Sequence, residues 1–394
     1  MTNTKNLQPR VYIGLSGGVD SSLAAALLIE QGYDVTGVYM KNWTADLPGM
    51  KCPWAEDLAD AKRVAVQLNI PFKVFDFQKE YKQKVVDYMI REYETGRTPN
   101  PDVMCNQEVK FKLFLDAALA DGADMIATGH YARVKNCHPE FISGSSLYKN
   151  QESRSKNNAK YIEDSEHPAK QVSRGFQNDN ANLLRAKCET KDQTYFLYRI
   201  TEEALQKTLF PLGDFVNKTE VRREAAKRGL ATARKPDSQG ICFVGSVGIR
   251  DFLSQFVETK PGPIVDQDTG KIIGQHDGAI FYTFGQRHGL SVGGGLPYYV
   301  VGKDMAKNEV YVSTNLNNHE FWRQELQLTD THWINKAPKS TKTYQIRLRH
   351  RAPLVECQIQ DNKVLLKNPE RAIAPGQSAV IYDGEIVLGG GIVV

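Results

Sequence analysis

One stretch constrains this chain more than any other: residues 11–28 read VYIGLSGGVDSSLAAALL. Val11, Tyr12, Ile13 and Leu15 form a short apolar, β-favouring run suited to a buried strand. Ser16-Gly17-Gly18 breaks that run, and an Ala/Leu-rich helix follows over residues 23–29. A glycine turn between strand and helix presents bare backbone N–H groups at a positive helix end, which makes a phosphate cradle. Ser16, Ser21 and Ser22 add hydroxyls, and glycine lets an anion approach the backbone closely. No Gly-Lys-Ser/Thr follows and the spacing is not G-x-G-x-x-G, so neither common nucleotide loop fits.

Downstream, apolar runs alternate with amphipathic stretches. Residues 33–40 (YDVTGVYM) and 71–77 predict buried strands, and 53–69 a helix opened by proline. Residues 79–94 predict a helix with Val85, Val86, Met89, Ile90 and Tyr93 on one apolar face. A loop over 96–104, a helix over 108–120 and a short strand over 124–128 complete the series. The expected class is α/β, a doubly wound parallel sheet. Ligands of such sheets sit beyond the carboxyl ends of the strands. The turn from Ser16 to Ser21, Met40 and the Thr128-Gly129-His130 turn all reach that edge. Met40 there serves packing or touches an adenine ring.

The 394 residues suffice for two or three domains. A hydrophobic content of 41% and a net charge of +4 describe an ordinary soluble chain, compatible with a nucleic-acid partner without requiring one. No apolar run approaches the ~18–20 residues of a membrane span. The opening MTNTKNLQPR has no apolar core of a signal peptide, so a cytoplasmic location and no membrane partner are expected. Six cysteines stand at 52, 105, 137, 188, 242 and 357 without a C-x-x-C pair. That spacing fits neither a zinc ribbon nor a secreted disulfide framework, and no metal site or bound cluster is expected.

Residues 136–182 are polar, rich in Ser, Asn, Lys and Glu, and lack a sustained period. They predict an exposed insertion inside a hairpin running from 131–134 into 183–186. Lys218 to Arg228 predicts a basic helix whose charges are a solvated face or a grip on phosphate. From Pro261 onward short strands and Gly/Asp turns predict an all-β region, with a polar hinge over 315–319. The expected division is 1–208, rejoined by 231–247; then 209–319; then a C-terminal β-barrel over 320–394.

Two cysteines lie in unusual loops. Cys105 ends TPNPDVMC, stiffened by two prolines, just ahead of the helix expected near Glu108; a helix N-terminus favours a thiolate. Asp102, three residues upstream, is a nearby carboxylate able to move a proton. Cys242 lies in PDSQGICF, with a glycine and polar neighbours. Each alone reads equally well as a buried structural thiol; two such loops beside a phosphate cradle suggest sulfur chemistry.

The string SGGVDS resembles the loop of the PP-loop ATP pyrophosphatases, which cleave ATP between its α- and β-phosphates. TPNPDVMCNQEVKF, TGHYAR, KDQTYFLY, FPLG, PDSQGICFVG and PGQSAVIY together resemble the tRNA-specific 2-thiouridylase family. The likeness runs from Val11 to about Gly390, leaving out the insertion, which is much longer than the family's connection there. It implies a transferase that adenylates the 2-oxygen of the wobble uridine of tRNA, such as the tRNAs for Glu, Gln and Lys, and replaces that oxygen with sulfur.

The resemblance also implies roles. ATP, with Mg2+, is held by Gly14, Leu15, Ser16, Gly17, Gly18, Val19, Asp20 and Ser21, with Met40 and Gly129 around the adenosine. Cys242 receives persulfide sulfur from a donor or carrier protein, and Cys105 is the partner thiol that forms a transient disulfide with it. Asp102 is the acid/base group, and Asn100, Pro101 and Asp102 line the target-base pocket. His130, Lys191, Asp192 and Gln193 match tRNA contacts beside the site. Arg349, His350 and Gln377 match contacts in the barrel, although His350 stands where an aromatic is common. A monomer is expected.

Overall fold

The computed structural model describes residues 8–46, 52–135, 181–237, 248–290, 292–293, 296–315, 317 and 321–394. Strands β1 (Arg10–Gly14), β2 (Asp34–Lys41), β3 (Phe72–Asp76) and β4 (Met125–Ala127) run parallel, as the alternating pattern predicts. A hairpin of β5 (Ala132–Lys135) and β6 (Asn182–Arg185) follows, and then the two-residue β7 (Thr208–Leu209) pairs parallel with β4. The sheet order is β3-β2-β1-β4-β7. The chain winds outward from β1 through β2 and β3, then crosses to β4 on the other side of β1. The switch point therefore lies between β1 and β4, where a ligand crevice opens in such sheets.

Apolar layers cover the two faces of the sheet. Helix Val19–Glu30, with Leu23, Leu27 and Leu28, shares one buried cluster with Ala61, Val64, Val221 and Ala225. Val221 and Ala225 are the apolar positions of helix Lys218–Lys227, so one side of that basic helix is buried rather than solvated. A second cluster joins Met40, Tyr81, Met89, Cys105, Phe111 and Phe114. The helix of this layer that carries Cys105 begins at Pro101, where the sequence predicts a loop up to 104, and continues to Ala120. Asn100 caps it by accepting from the N–H groups of Asp102 (3.2 Å) and Val103 (3.3 Å), with Pro101 at the first helical position.

The all-β half forms two units. Strands β8 (Gly262–Asp266), β9 (Ile272–His276), β10 (Tyr299–Asp304) and β11 (Glu309–Ser313) make a small sheet in the order β10-β11-β8-β9, around Ile264, Val300, Val310 and Val312. The C-terminal unit comprises β12 (Trp322–Trp333), β13 (Tyr344–Arg347), β14 (Val355–Gln360), β15 (Lys363–Arg371), β16 (Ser378–Asp383) and β17 (Ile386–Val393). Pairing of β12 with both β15 and β17 closes these six strands into a barrel. β12 gives no strand signal because only Leu326 and Leu328 of its twelve residues are buried.

The hairpin has an unexpected partner. β6 pairs antiparallel with β17, so β5 and β6 extend the barrel sheet although they leave from the end of β4. Asn182, placed in the insertion by its polar neighbours, is the first residue of β6 and pairs with Lys135. Residues 136–180 of the expected insertion, with Cys137, His138 and His167, lie outside the described residues. No helix of the described residues is long and apolar enough to cross a membrane.

Candidate active site

The turn after β1 has the backbone the sequence asks of it. Gly17 adopts φ +74°, and a Cβ there would stand 2.5 Å from the carbonyl oxygen of Asp57. Only glycine fits both demands. Gly18 is the N-cap of helix Val19–Glu30 and offers no side chain to the first-turn N–H groups, leaving that positive end open. Ser21 Oγ accepts from Ser16 N–H at 3.2 Å and donates to Gly18 O, while Ser22 Oγ donates to Gly18 O at 2.8 Å. These bonds fix the turn before any anion arrives.

Neighbouring strand ends close in on the turn. A Cβ on Gly14 would lie 2.9 Å from Met40 Cε and 3.8 Å from Phe114 Cε1, so Met40 packs directly on the cradle strand. A Cβ on Gly129 would lie 2.7 Å from Ser21 N, which brings the turn after β4 onto the first turn of the helix. Leu15 and Val19 are buried beneath. Asn42, just past β2, is 1% exposed, and neither of its amide atoms has a partner among the described residues. A buried amide left unpaired is costly, and only its polarity at a strand end hinted at it in the sequence.

A chain of charges missed by the sequence reading runs away from the cradle. Asp20 accepts from Tyr131 Oη (2.8 Å) and from Lys218 Nζ through both oxygens (2.8 and 2.7 Å). Lys218, on the helix expected to be mostly solvated, also pairs with Asp237 at 3.0 Å. Asp237 is met in addition by Lys191 (2.8 Å) and Arg222 (2.7 Å). Burial alone would raise the Asp237 carboxyl, but the hydrogen bonds and charges of Lys191 and Lys218 outweigh it and hold it at about 2. Asp237 is the last described residue before 238–247, so Cys242 lies outside the described residues.

Cys105 is fully buried in the cluster that contains Met40 and Phe114. The helix starts at Pro101, not near Glu108, so Cys105 sits in the second turn rather than at the N-terminus. Cys105 therefore has no free helix end beside it, and the first-turn N–H groups of Asp102 and Val103 are taken up by the Asn100 cap. From Cys105 to Leu113 the helix is π-type, a widened form frequent at functional sites. Asp102 and Pro101 are half-buried beside it. Cys52, Cys188 and Cys357 are buried, and among the described residues no cluster of His, Cys, Asp or Glu could hold a metal.

The chain is 41% identical to the tRNA-specific 2-thiouridylase MnmA of Listeria welshimeri, over 99% of this chain and 96% of the relative. It is 42% identical to the protein of that name from Bacillus cereus, over 97% of this chain and 94% of that one. The chain belongs to the tRNA-specific 2-thiouridylase family. Three family models also match: a tRNA methyl transferase HUP domain over residues 9–246, a tRNA methyl transferase PRC-barrel domain over 250–314, and an aminomethyltransferase β-barrel domain over 323–393. The model descriptions speak of methyl transfer and the relatives of thiolation.

The positions that resemble the tRNA contacts of the thiouridylase family fall into two groups. Lys191, Arg349 and His350 reach the surface at least in part. Asp192 turns inward: its side chain is fully buried and accepts from Ala186 N–H (3.2 Å), Thr194 Oγ1 (2.8 Å) and Arg347 Nη1 (3.2 Å). The carboxylate presents no surface to solvent in this structure. His130 is also buried, with Nδ1 2.8 Å from Thr128 Oγ1 and Nε2 3.3 Å from Lys110 Nζ. Burial first, and Lys110 second, hold it well below the usual histidine range, so it is neutral. An ammonium only donates, so Nε2 accepts and Nδ1–H donates to Thr128. Gln193 Oε1 accepts from Tyr131 N–H (2.9 Å), and the Gln377 amide donates to the carbonyl of Thr98 (2.9 Å). Both amides are thus engaged within the fold.

Proposed function

We propose that this protein replaces the 2-oxygen of the wobble uridine of tRNA with sulfur, at the expense of ATP. The observation that carries the reading is the meeting of two devices at one sheet edge. The phosphate cradle at Gly14–Ser21 touches Met40 and Phe114, and Phe114 lies on the helix that carries Cys105. Full-length kinship with thiouridylases supports it.

The chemistry follows from the parts. A pyrimidine carbonyl oxygen is a poor leaving group until it carries a phosphate ester. Uridine O2 attacks the α-phosphorus of ATP, pyrophosphate departs, and the oxygen then leaves as AMP when sulfur adds to C2. The open helix end and Gly17 favour the anionic phosphates. Mg2+ would ride chiefly on those phosphates, since the Asp20 carboxylate is already engaged by Lys218 and Tyr131. In this reading Asp102 takes or gives a proton beside a base pocket formed by Asn100 and Pro101.

The sulfur comes as a Cys242 persulfide, loaded by a donor or carrier. Either Cys105 attacks Cys242 Sγ and frees hydrosulfide to add to C2, or the terminal sulfur adds first and Cys105 then releases the thiolated base. Both routes end with AMP, 2-thiouridine and a Cys105–Cys242 disulfide, which an external thiol must reduce. Both need Cys105 to become exposed from its buried position. The target base must leave its stack.

The test is incubation with ATP, a persulfide-bearing sulfur donor, a thiol reductant and unmodified tRNA, followed by nucleoside mass analysis. The expected product is 2-thiouridine with the intact protein and none with Cys242→Ser. A methylated nucleoside, no product, or undiminished product from Cys242→Ser would overturn the reading.

A further inference from the structure

Thr98 stands two residues before Asn100 and is 9% exposed. Its three polar groups are met by segments far away in sequence. The N–H donates to Pro375 O at 2.9 Å, and the C=O accepts from Gln377 Nε2 at 2.9 Å. The hydroxyl bonds to Thr283 Oγ1 at 3.2 Å. Pro375 and Gln377 enter β16 of the barrel, and Thr283 follows the β8–β9 hairpin of the central unit. Between the two barrel contacts, Gly376 adopts φ +88°, and a Cβ there would stand 2.7 Å from Thr98 N. The turn is pressed against Thr98 as closely as a backbone allows.

From Thr98 the path to the reacting groups is short and stiff. Pro99 restricts Thr98 to an extended backbone, and Pro101 restricts Asn100 in the same way. Asn100 then caps the helix through Asp102 and Val103 N–H. One turn further on, Asn106 Nδ2 donates to Phe196 O at 3.0 Å, and the Phe196 ring lies 4.4 Å from that of His350. The helix start is thus held on both sides by groups that touch the barrel.

We propose that Thr98 is a positioning residue, through which the barrel turn 375–377 and Thr283 set the placement of Asn100, Asp102 and Cys105. The inference rests on the function proposed above only for its kinetic readout. It gives Gln377 a task different from gripping RNA. Its amide orients the base pocket from behind, so the barrel completes the catalytic loop instead of only docking the substrate.

The experiment compares Thr98→Val, Thr283→Val, their double variant, Gln377→Leu and Thr98→Ser in the full chain. Thr98→Val and Gln377→Leu are expected to lower kcat for thiolation roughly tenfold to a hundredfold, since small misplacements at a reacting centre cost that much. The KM for tRNA stays near that of the parent protein. The double variant is no worse than either single one, because both remove the same hydrogen bond. Thr98→Ser keeps the hydroxyl and restores the rate. Amide hydrogen exchange at residues 102–105 rises in Thr98→Val, a readout that stands even if the parent protein makes no 2-thiouridine. A raised KM with unchanged kcat in Gln377→Leu, additive losses in the double variant, or unchanged exchange at 102–105 would overturn the proposal.

Discussion

Asp192 and Arg347 meet at 3.2 Å with almost no solvent on either side chain. Asp192 follows the β5–β6 hairpin that leaves the end of the parallel sheet, while Arg347 ends β13 of the barrel. The pair therefore fastens two units whose sequences are 155 residues apart. Replacing Asp192 with Asn should leave the Arg347 charge buried and poorly compensated. The expected loss is about 3–5 kcal/mol, read as a lower urea midpoint. A midpoint within error of the parent protein would show that the pair is replaceable.

Lys218 bridges Asp20 of the cradle and Asp237 of the next segment. In the proposed reaction its ammonium, beside the cradle, is a cation that would meet charge growing on departing pyrophosphate. Lys218→Met is expected to lower ATP-dependent pyrophosphate release by about a hundredfold, the typical cost of one lost electrostatic contact. Thermal midpoints should move little, because partly exposed pairs contribute modestly. An unchanged rate of pyrophosphate release would assign Lys218 a purely structural part.

Gly129 lies against Ser21 N with no room for a methyl group. Gly129→Ala must push the β4 turn away from the helix start, at a cost of about 1–3 kcal/mol. ATP binding, measured calorimetrically, should weaken tenfold or more. Gly270→Ala meets no atom within 4 Å but sits at φ +68°, so its cost is a stability term that leaves ATP affinity unchanged.

Among the described residues, four histidines are held below their ordinary range: burial lowers His130, His276 and His332, and takes His350, with Arg351 and Arg347 beside it, down to about 4. The unfolded chain then binds more protons than the folded one below the ordinary histidine value of about 6.5. Stability is fully present above that value and is lost as pH falls toward about 4. The urea midpoint should drop between neutral pH and about pH 5. His350→Phe, which keeps the stacking on Phe196, should make that drop shallower. An identical pH slope in the variant would remove His350 from the account.

The cradle was legible because its demands are local. A strand, a turn with glycine at φ +74° and a helix start are written in consecutive residues, and so was the alternation that gives the parallel sheet. Cys105 was singled out by its loop but misplaced at a helix end, since the helix begins at an Asn100 cap that reads as part of a polar loop. β12 escaped notice because a barrel strand facing water on most positions carries little apolar pattern.

What sequence alone determined, then, is the set of short-range instructions: the cradle, the parallel strands and helices around it, and the cysteine-bearing motifs. Tertiary structure decided which polar residues face inward. Lys191, Asp192 and Gln193 are neighbours in one motif, yet Lys191 pairs with Asp237, Asp192 lies under the barrel, and Gln193 grips Tyr131. The reason is physical. A charged side chain carries the same sequence signal whether water or another chain segment compensates it, and only the folded neighbours settle which.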